Sequence, residues 1–413
     1  MQKKQILNGG ALLGAVLGAN FLNFLFNALL GRWLSFENFG LISLVVTFYY
    51  VTSIFTNALS STLNFSTSKL IGNGQSENAT LIFTQIFKKS VIVSLAVILF
   101  WVVSIPLLMR FFQVSSPFPF LAFAPIILFS TIEYNITGFL QGRLKFFSTG
   151  LILITEPIIK ILAGVFFAVS GFGAITYLSL PISVSIAAFT GLFILLASTQ
   201  LPNKKITIHF DFPKKFFLNV MTVGIGSTIF FSIDLLLVRH FLPPMIAGQY
   251  ALISVIGKMM FFFSTIFNIF TLTTVARTSD PQKMNLIFIK LVGATTLLTF
   301  TGWFFLGEIG DLIVPILLGQ KSVQILGLLP MYTFGIALYS VSNVIVSFHL
   351  AKQEYVFSYC PILAGVFFSL LTVVRHEHLL DVTTNVTLAC FLLLTTVLCL
   401  HIKYAQTEHQ HAT

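Results

Sequence analysis

NALLGRWLSFENFGLIS, residues 27–43, and DLLLVRHFLPPMIAGQYALIS, residues 234–254, are two versions of one passage. Asn27 and Asp234 each stand five residues ahead of an arginine, Arg32 or Arg239. Both versions then run through an aromatic and a small residue to Leu-Ile-Ser. Working outward, the register that aligns Ser43 with Ser254 also aligns Asn57 with Asn268. Lys88 and Trp101 are spaced like Lys290 and Trp303, and Pro125 and Tyr134 like Pro330 and Tyr339. Apolar helices resemble one another by composition, so each match alone says little. Their shared order makes the chain a duplication.

Composition places that duplication in a membrane. The 413 residues are 56% hydrophobic and 9% charged, against roughly 25% charged in a soluble domain. Mean hydropathy is +0.95. About twelve apolar runs are long enough to cross a bilayer as helices. They divide as residues 1–200 for an N-terminal six-helix lobe, 201–217 for a cytoplasmic linker and 218–413 for a C-terminal six-helix lobe. An even number of spans per copy inserts both copies in the same orientation. Such parallel repeats are related by an axis along the membrane normal, with substrate between them near the midplane.

With the N-terminus inside, Arg32, Arg110, Arg239, Lys321 and Arg375 are the cations left on the outer side. Most of the remaining lysines and arginines, including the linker cluster Lys204, Lys205, Lys214 and Lys215, fall inside. That asymmetry puts both termini in the cytoplasm. The formal charge of +10 is then a basic inner face beside anionic lipid, not a nucleic-acid footprint. The sequence has no G-x-x-x-x-G-K-[ST] phosphate loop, so an ion gradient, a substrate gradient or a partner must drive any work. Cys360, Cys390 and Cys399 lie in apolar runs and read as small buried hydrophobes.

The two six-helix halves, GRWLSFENFGLIS after the first span and D-L-L-L-V-R…A-G-Q-Y at the seventh and eighth, resemble the polysaccharide-transporter family. That family contains the Wzx-type O-antigen flippases within the multidrug/oligosaccharidyl-lipid/polysaccharide exporter superfamily. The resemblance covers nearly the whole chain and implies an all-α, V-shaped, MATE-like two-lobe fold. It also implies a bacterial inner-membrane location and movement of undecaprenyl-pyrophosphate-linked oligosaccharide to the outer leaflet. The chain lacks the additional spans usual in lipid II flippases of the same superfamily.

A lipid-linked sugar needs a polar surface for its hydroxyls, a cation for its pyrophosphate and an apolar flank for its tail. In the second span Ser43, Thr47, Tyr50, Asn57, Ser61 and Asn64 recur at helical spacing on one face, with Asn20, Asn23 and Asn27 beside them in the first. The eighth span presents Tyr250, Ser254, Lys258, Thr265 and Asn268. The plain alternative is that these groups join helices by hydrogen bonds. Lys258 is the candidate for the pyrophosphate; the alternative is pairing with Asp234. Asp234, Glu133, Glu156 and Lys160 are candidates for coupling or gating, with a proton or a sodium ion as the driving partner. In ITEPIIKI, residues 154–161, Glu156 and Lys160 stack one turn apart beside Pro157, which removes a helix hydrogen bond. Arg32 and Arg239 are expected to snorkel to headgroups.

His376-Glu377-His378 lacks the H-E-x-x-H spacing of a zinc protease, and His401, His409 and His411 read as a terminal tail. The sequence points to no cofactor, metal or catalytic group. Rival readings are a multidrug exporter and a polytopic O-antigen polymerase or ligase. The exporter would favour a smaller, acidic pocket. The polymerase or ligase would need a larger outer loop than the stretch from Glu308 to Ser322. Partners are membrane lipids, the lipid-linked substrate and polysaccharide-assembly proteins.

Overall fold

The first helix boundary shows how the chain turns on local signals. In the computed structural model, which describes residues 2–199, 212–275, 281–352 and 354–412, helix α1 (Gln2–Trp33) stops just before Ser35. The Ser35 hydroxyl accepts the Asn38 amide and starts α2 (Phe36–Gly72). Gly74, at φ +76°, makes the turn into α3 (Ser76–Phe111). α4 (Phe118–Gly142) carries Pro119 in its first turn, where a missing amide hydrogen costs nothing. α5 (Phe146–Val169) and α6 (Ser179–Ser198) complete the first six. α7 (Lys214–Phe241), α8 (Pro244–Val275) and α9 (Pro281–Trp303) follow. A π-helical turn at Phe304–Glu308 and a short α10 (Gly310–Leu318) precede α11 (Leu329–Ala351), α12 (Cys360–Val374) and α13 (Leu379–Ala412).

The regular structure of the described residues is all helical, and among them eleven helices are long and apolar enough to span a membrane. α7, at the seventh expected position, has 28 residues, several of whose side chains lie outside the described set. The expected linker falls mostly on residues 200–211, also outside it. α2 and α3, at 37 and 36 residues, rise about 55 Å at 1.5 Å per residue. The hydrocarbon needs only about 30 Å. The apolar runs therefore marked only the middles of these helices. Along α3, Ile92, Leu99, Phe100, Val103 and Leu107 are exposed on a surface suited to lipid.

Contacts divide the chain into two units, Met1–Gly224 and Ile225–Thr413. In the first, α4 packs against α2, α3 and α6, and α5 against α1 and α6. In the second, α11 packs against α8, α9 and α13, and α12 against α13. The fourth span of each copy is thus the hub of its unit. The aligned tryptophans serve the same purpose: Trp101 donates to the Phe120 carbonyl at 2.8 Å and Trp303 to the Pro330 carbonyl at 3.2 Å. Each indole pins the third span of its copy to the first turn of the hub.

Small residues let the hubs approach their neighbours. A Cβ on Gly138 would lie 2.4 Å from the Ser60 carbonyl oxygen, and one on Gly142 would lie 2.6 Å from the Thr67 Cβ. On α11, a Cβ at Gly335 would meet the Thr387 hydroxyl at 2.9 Å. Thr387 also donates to the Met331 carbonyl at 2.8 Å. Without a hydrophobic driving force between helices in lipid, such close packing and interhelical hydrogen bonds supply the association. Beneath α4, Leu59, Leu63, Phe83, Phe139, Leu140 and Leu195 form a buried apolar core, with Phe83 and Phe139 stacked at 4.3 Å.

Candidate functional site

Each unit buries a cluster of charges held by phenols. In the first, α5 places Glu156 and Lys160 one turn apart, and their side chains form a 3.0 Å ion pair. Tyr49 on α2 donates to the other Glu156 oxygen at 3.1 Å. The Lys160 ammonium also lies 5.4 Å from the Phe26 ring centroid on α1. α4 adds Glu133, only 2% exposed, within electrostatic reach of both Glu156 and Lys160. Tyr134 is within electrostatic reach of Glu133 and Glu156, and Tyr50 also feels the Glu156 charge. Among the described residues Glu133 Oε2 is buried with no hydrogen-bond partner. Two carboxyl groups thus face one ammonium. α5 runs through Pro157 as one helix.

The second cluster centres on Asp234. Asp234 of α7 accepts from Lys258 of α8, with the ammonium 3.0 Å from one carboxylate oxygen and 3.1 Å from the other. It also accepts from Tyr250 at 3.1 Å, from Tyr332 of α11 at 3.2 Å and from the Leu235 amide at 2.8 Å. Tyr332 also lies 3.2 Å from the Ser254 hydroxyl, and the two phenol rings meet edge to face. Lys258 is 7% exposed and Asp234 3%. The pairing weighed against an anion-binding role for Lys258 is present, and one carboxylate balances one ammonium.

The polar stripe of α2 divides along its length. Ser43 and Thr47 are buried, and Thr47 donates to the Ser43 carbonyl at 2.7 Å. Tyr50, Ser61 and Asn64 are half-buried and Asn57 is exposed. Asn64 donates to Gln141 of α4 at 3.3 Å. One end of the stripe therefore packs inside the unit and the other offers open polar surface. In α1, the Asn27 amide donates to the Asn23 carbonyl at 2.8 Å, while the buried Asn23 side-chain oxygen has no partner among the described residues. The Asn268 side chain lies outside the described residues. Arg32 is exposed as expected, whereas Arg239 is 5% exposed and does not reach outward.

Sequence reading missed Tyr49, Tyr134 and Tyr332 as cluster members. Tyr134 was visible only as a repeat marker, and Tyr49 sits one position off the polar stripe. It also missed the bonds from Asn135 to Ser90 at 2.9 Å and from Ser94 to Thr131 at 2.9 Å, which tie α3 to α4. Arg143 donates to the Thr199 hydroxyl at 3.1 Å and Lys145 to the Ser198 carbonyl at 2.8 Å. Partial burial and the neighbouring Arg143 charge hold the Lys145 ammonium below its usual pKa. Among the described residues no group of three or more His, Cys, Asp or Glu is arranged to hold a metal.

A family model described as polysaccharide biosynthesis protein matches residues 29–326. Among solved structures, the lipid II flippase MurJ in an inward closed conformation superposes with a TM-score of 0.74 at 16% identity, over 96% of this chain and 87% of that one. An inward-facing multidrug resistance MATE family transporter of the MOP superfamily gives 0.68 at 11% identity, over 94% and 96%. A MOP superfamily transporter from Pyrococcus furiosus gives 0.59 at 13% identity, over 96% and 94%. These likenesses establish the fold. A comparison with curated protein sequences found no match.

Proposed function

The chain belongs to the polysaccharide biosynthesis protein family, and from that membership we propose that it is a flippase for lipid-linked oligosaccharide. It takes an undecaprenyl-pyrophosphate-linked oligosaccharide from the cytoplasmic to the outer leaflet of a bacterial inner membrane, for O-antigen or capsule assembly. Both termini are cytoplasmic, and the enzymes that build and polymerise the repeat unit are its partners. The observation that carries the proposal is the pair of buried, phenol-lined charge clusters, one per unit. Ionisable groups at such depth are costly and accompany transport pathways rather than scaffolding.

The parts divide as follows. The open end of the α2 stripe, Asn57, Ser61 and Asn64 with Tyr50, offers amides and hydroxyls to the sugar; Asn23, Asn27, Thr47, Ser254 and Asn268 support the same polar faces. Lys258 serves the pyrophosphate, and since Asp234 holds its ammonium at 3.0 Å, the anion must take Lys258 from Asp234. Glu133, Glu156 and Lys160 couple transport to a proton or sodium ion, a role supported by Glu133 Oε2, a buried carboxyl oxygen with no hydrogen-bond partner among the described residues. A multidrug exporter is the second reading, favoured by the superposition on a multidrug resistance transporter. Depletion of the protein separates the two. Lipid-linked oligosaccharide accumulating in the cytoplasmic leaflet supports the flippase. Normal surface polysaccharide with altered drug tolerance overturns it.

A further inference from the structure

The turn after α11 and the C-terminal part of α13 meet in a cluster that the transport reading does not use. His349, near the end of α11, is 1% exposed, and both of its ring nitrogens are engaged. Nδ1 meets a carboxylate oxygen of Glu354, and Nε2 lies 2.9 Å from Nδ1 of His401 on α13. Stacking fixes the two rings: Phe357 lies parallel to His349 at 3.6 Å, and Phe288 of α9 covers His401 at 4.1 Å. Lys352 reaches the other Glu354 oxygen at 3.2 Å, and the Tyr404 ring stands 6.3 Å from His349. Among the described residues, Glu354, Lys352, His401 and Tyr404 are the titratable groups around His349, from the turn and from α13.

The geometry limits how many protons the pair can hold. Glu354 is an acceptor, so His349 Nδ1 carries a hydrogen. When both rings are neutral, its Nε2 then accepts the hydrogen on His401 Nδ1. One added proton still leaves a single hydrogen between the facing nitrogens, with Glu354 beside the charge. A second puts N–H on both facing atoms and sets two cations in contact beside Lys352. We propose that His349, His401 and Glu354 form a proton-operated latch that ties the end of α13 to α11 and opens when the histidine pair takes its second added proton. The latch is closed on the alkaline side and opens on acidification, in the range where imidazoles change charge.

Amide hydrogen exchange on the full-length protein in lipid nanodiscs tests it, read over residues 395–404 from about pH 8 to about pH 5 and corrected for intrinsic rates. Protection there should fall roughly tenfold on the acid side, while α4 stays unchanged. His401→Phe, which keeps a ring over Phe288 and removes the titration, should make that protection independent of pH. Glu354→Gln should move the loss to higher pH. A flat wild-type profile, or the same acid loss in His401→Phe, overturns the latch. Should His401→Phe not fold, imidazole nitrogen NMR of the wild type decides. Two coupled protonation steps support the latch, and two independent histidines overturn it.

Discussion

Glu133 Oε2, buried and without a hydrogen-bond partner among the described residues, makes the first charge cluster chemically unlike the second. Removing one member of a buried pair strands the other, at a cost of about 3–5 kcal/mol. Lys160→Met should therefore lower membrane abundance and detergent melting temperature, since Glu156 would keep only Tyr49 beside a second carboxyl group. Glu156→Gln combined with Lys160→Met should restore much of both, because Glu156 is then no longer an unpaired charge beside Glu133. If the pair also serves coupling, export stays low in the double variant although abundance recovers. Abundance no better in the double than in the single variant would reject this account of the pair.

Lys258→Ala, a substitution of the same kind, strands Asp234 among Tyr250 and Tyr332. It should be rescued in abundance, though not in export, by Asp234→Asn. Glu156, Lys160, Asp234 and Lys258 were legible in the sequence because charge in an apolar run is conspicuous. The phenols that hold them were not. Tyr49 and Tyr332 join the clusters only when tertiary packing brings helices together, and periodicity in one helix carries no information about its neighbour.

At the scale of single helices, α2 mixes two roles that its sequence periodicity presents as one. Cysteine at Asn57 should react with a water-soluble maleimide, and cysteines at Ser43 and Thr47 should resist it, because both are buried. Rapid labelling at Ser43 would mean that the buried end of the stripe opens to water. The hub helices invite a second test. Gly138→Leu forces a side chain against the Ser60 backbone and should destabilise by about 1–3 kcal/mol, read as a lower melting temperature. Gly293→Leu on α9, where a Cβ would meet nothing within 4 Å, is the control and should be nearly neutral. The apolar runs located the helices but not their full extent. α2 and α3 continue as polar helix beyond the lipid, and the stretch after Glu308 carries the short α10. His401 had read as part of a tail because the helix continues through polar residues to Ala412.

For the whole molecule, the duplication visible at 27–43 and 234–254 reappears as two units with matching hubs. Matched residues, Trp101 with Trp303 above all, keep matched roles. The charges do not follow the repeat. One cluster draws on α2, α4 and α5 and the other on α7, α8 and α11, so an alignment of the copies could not have located the second from the first. The division between units also falls inside α7, after Gly224. The first turns of α7 pack on α2, with Phe216 stacked on Phe65 at 4.7 Å and Phe217 against Phe55 at 5.8 Å. A fragment of residues 1–224 should accordingly melt higher in detergent than one of residues 1–198.

The shared α7 also sets a timetable for biosynthesis. Phe55 and Phe65 leave the ribosome some 150 residues ahead of their partners, which at 5–20 residues per second is roughly 8–30 s. Through that interval the α2 surface is bare while α3 to α6 are still being inserted. An insertion chaperone or surrounding lipid must cover Phe55 and Phe65 meanwhile, and the nascent first half finishes assembling only once the second has begun to emerge.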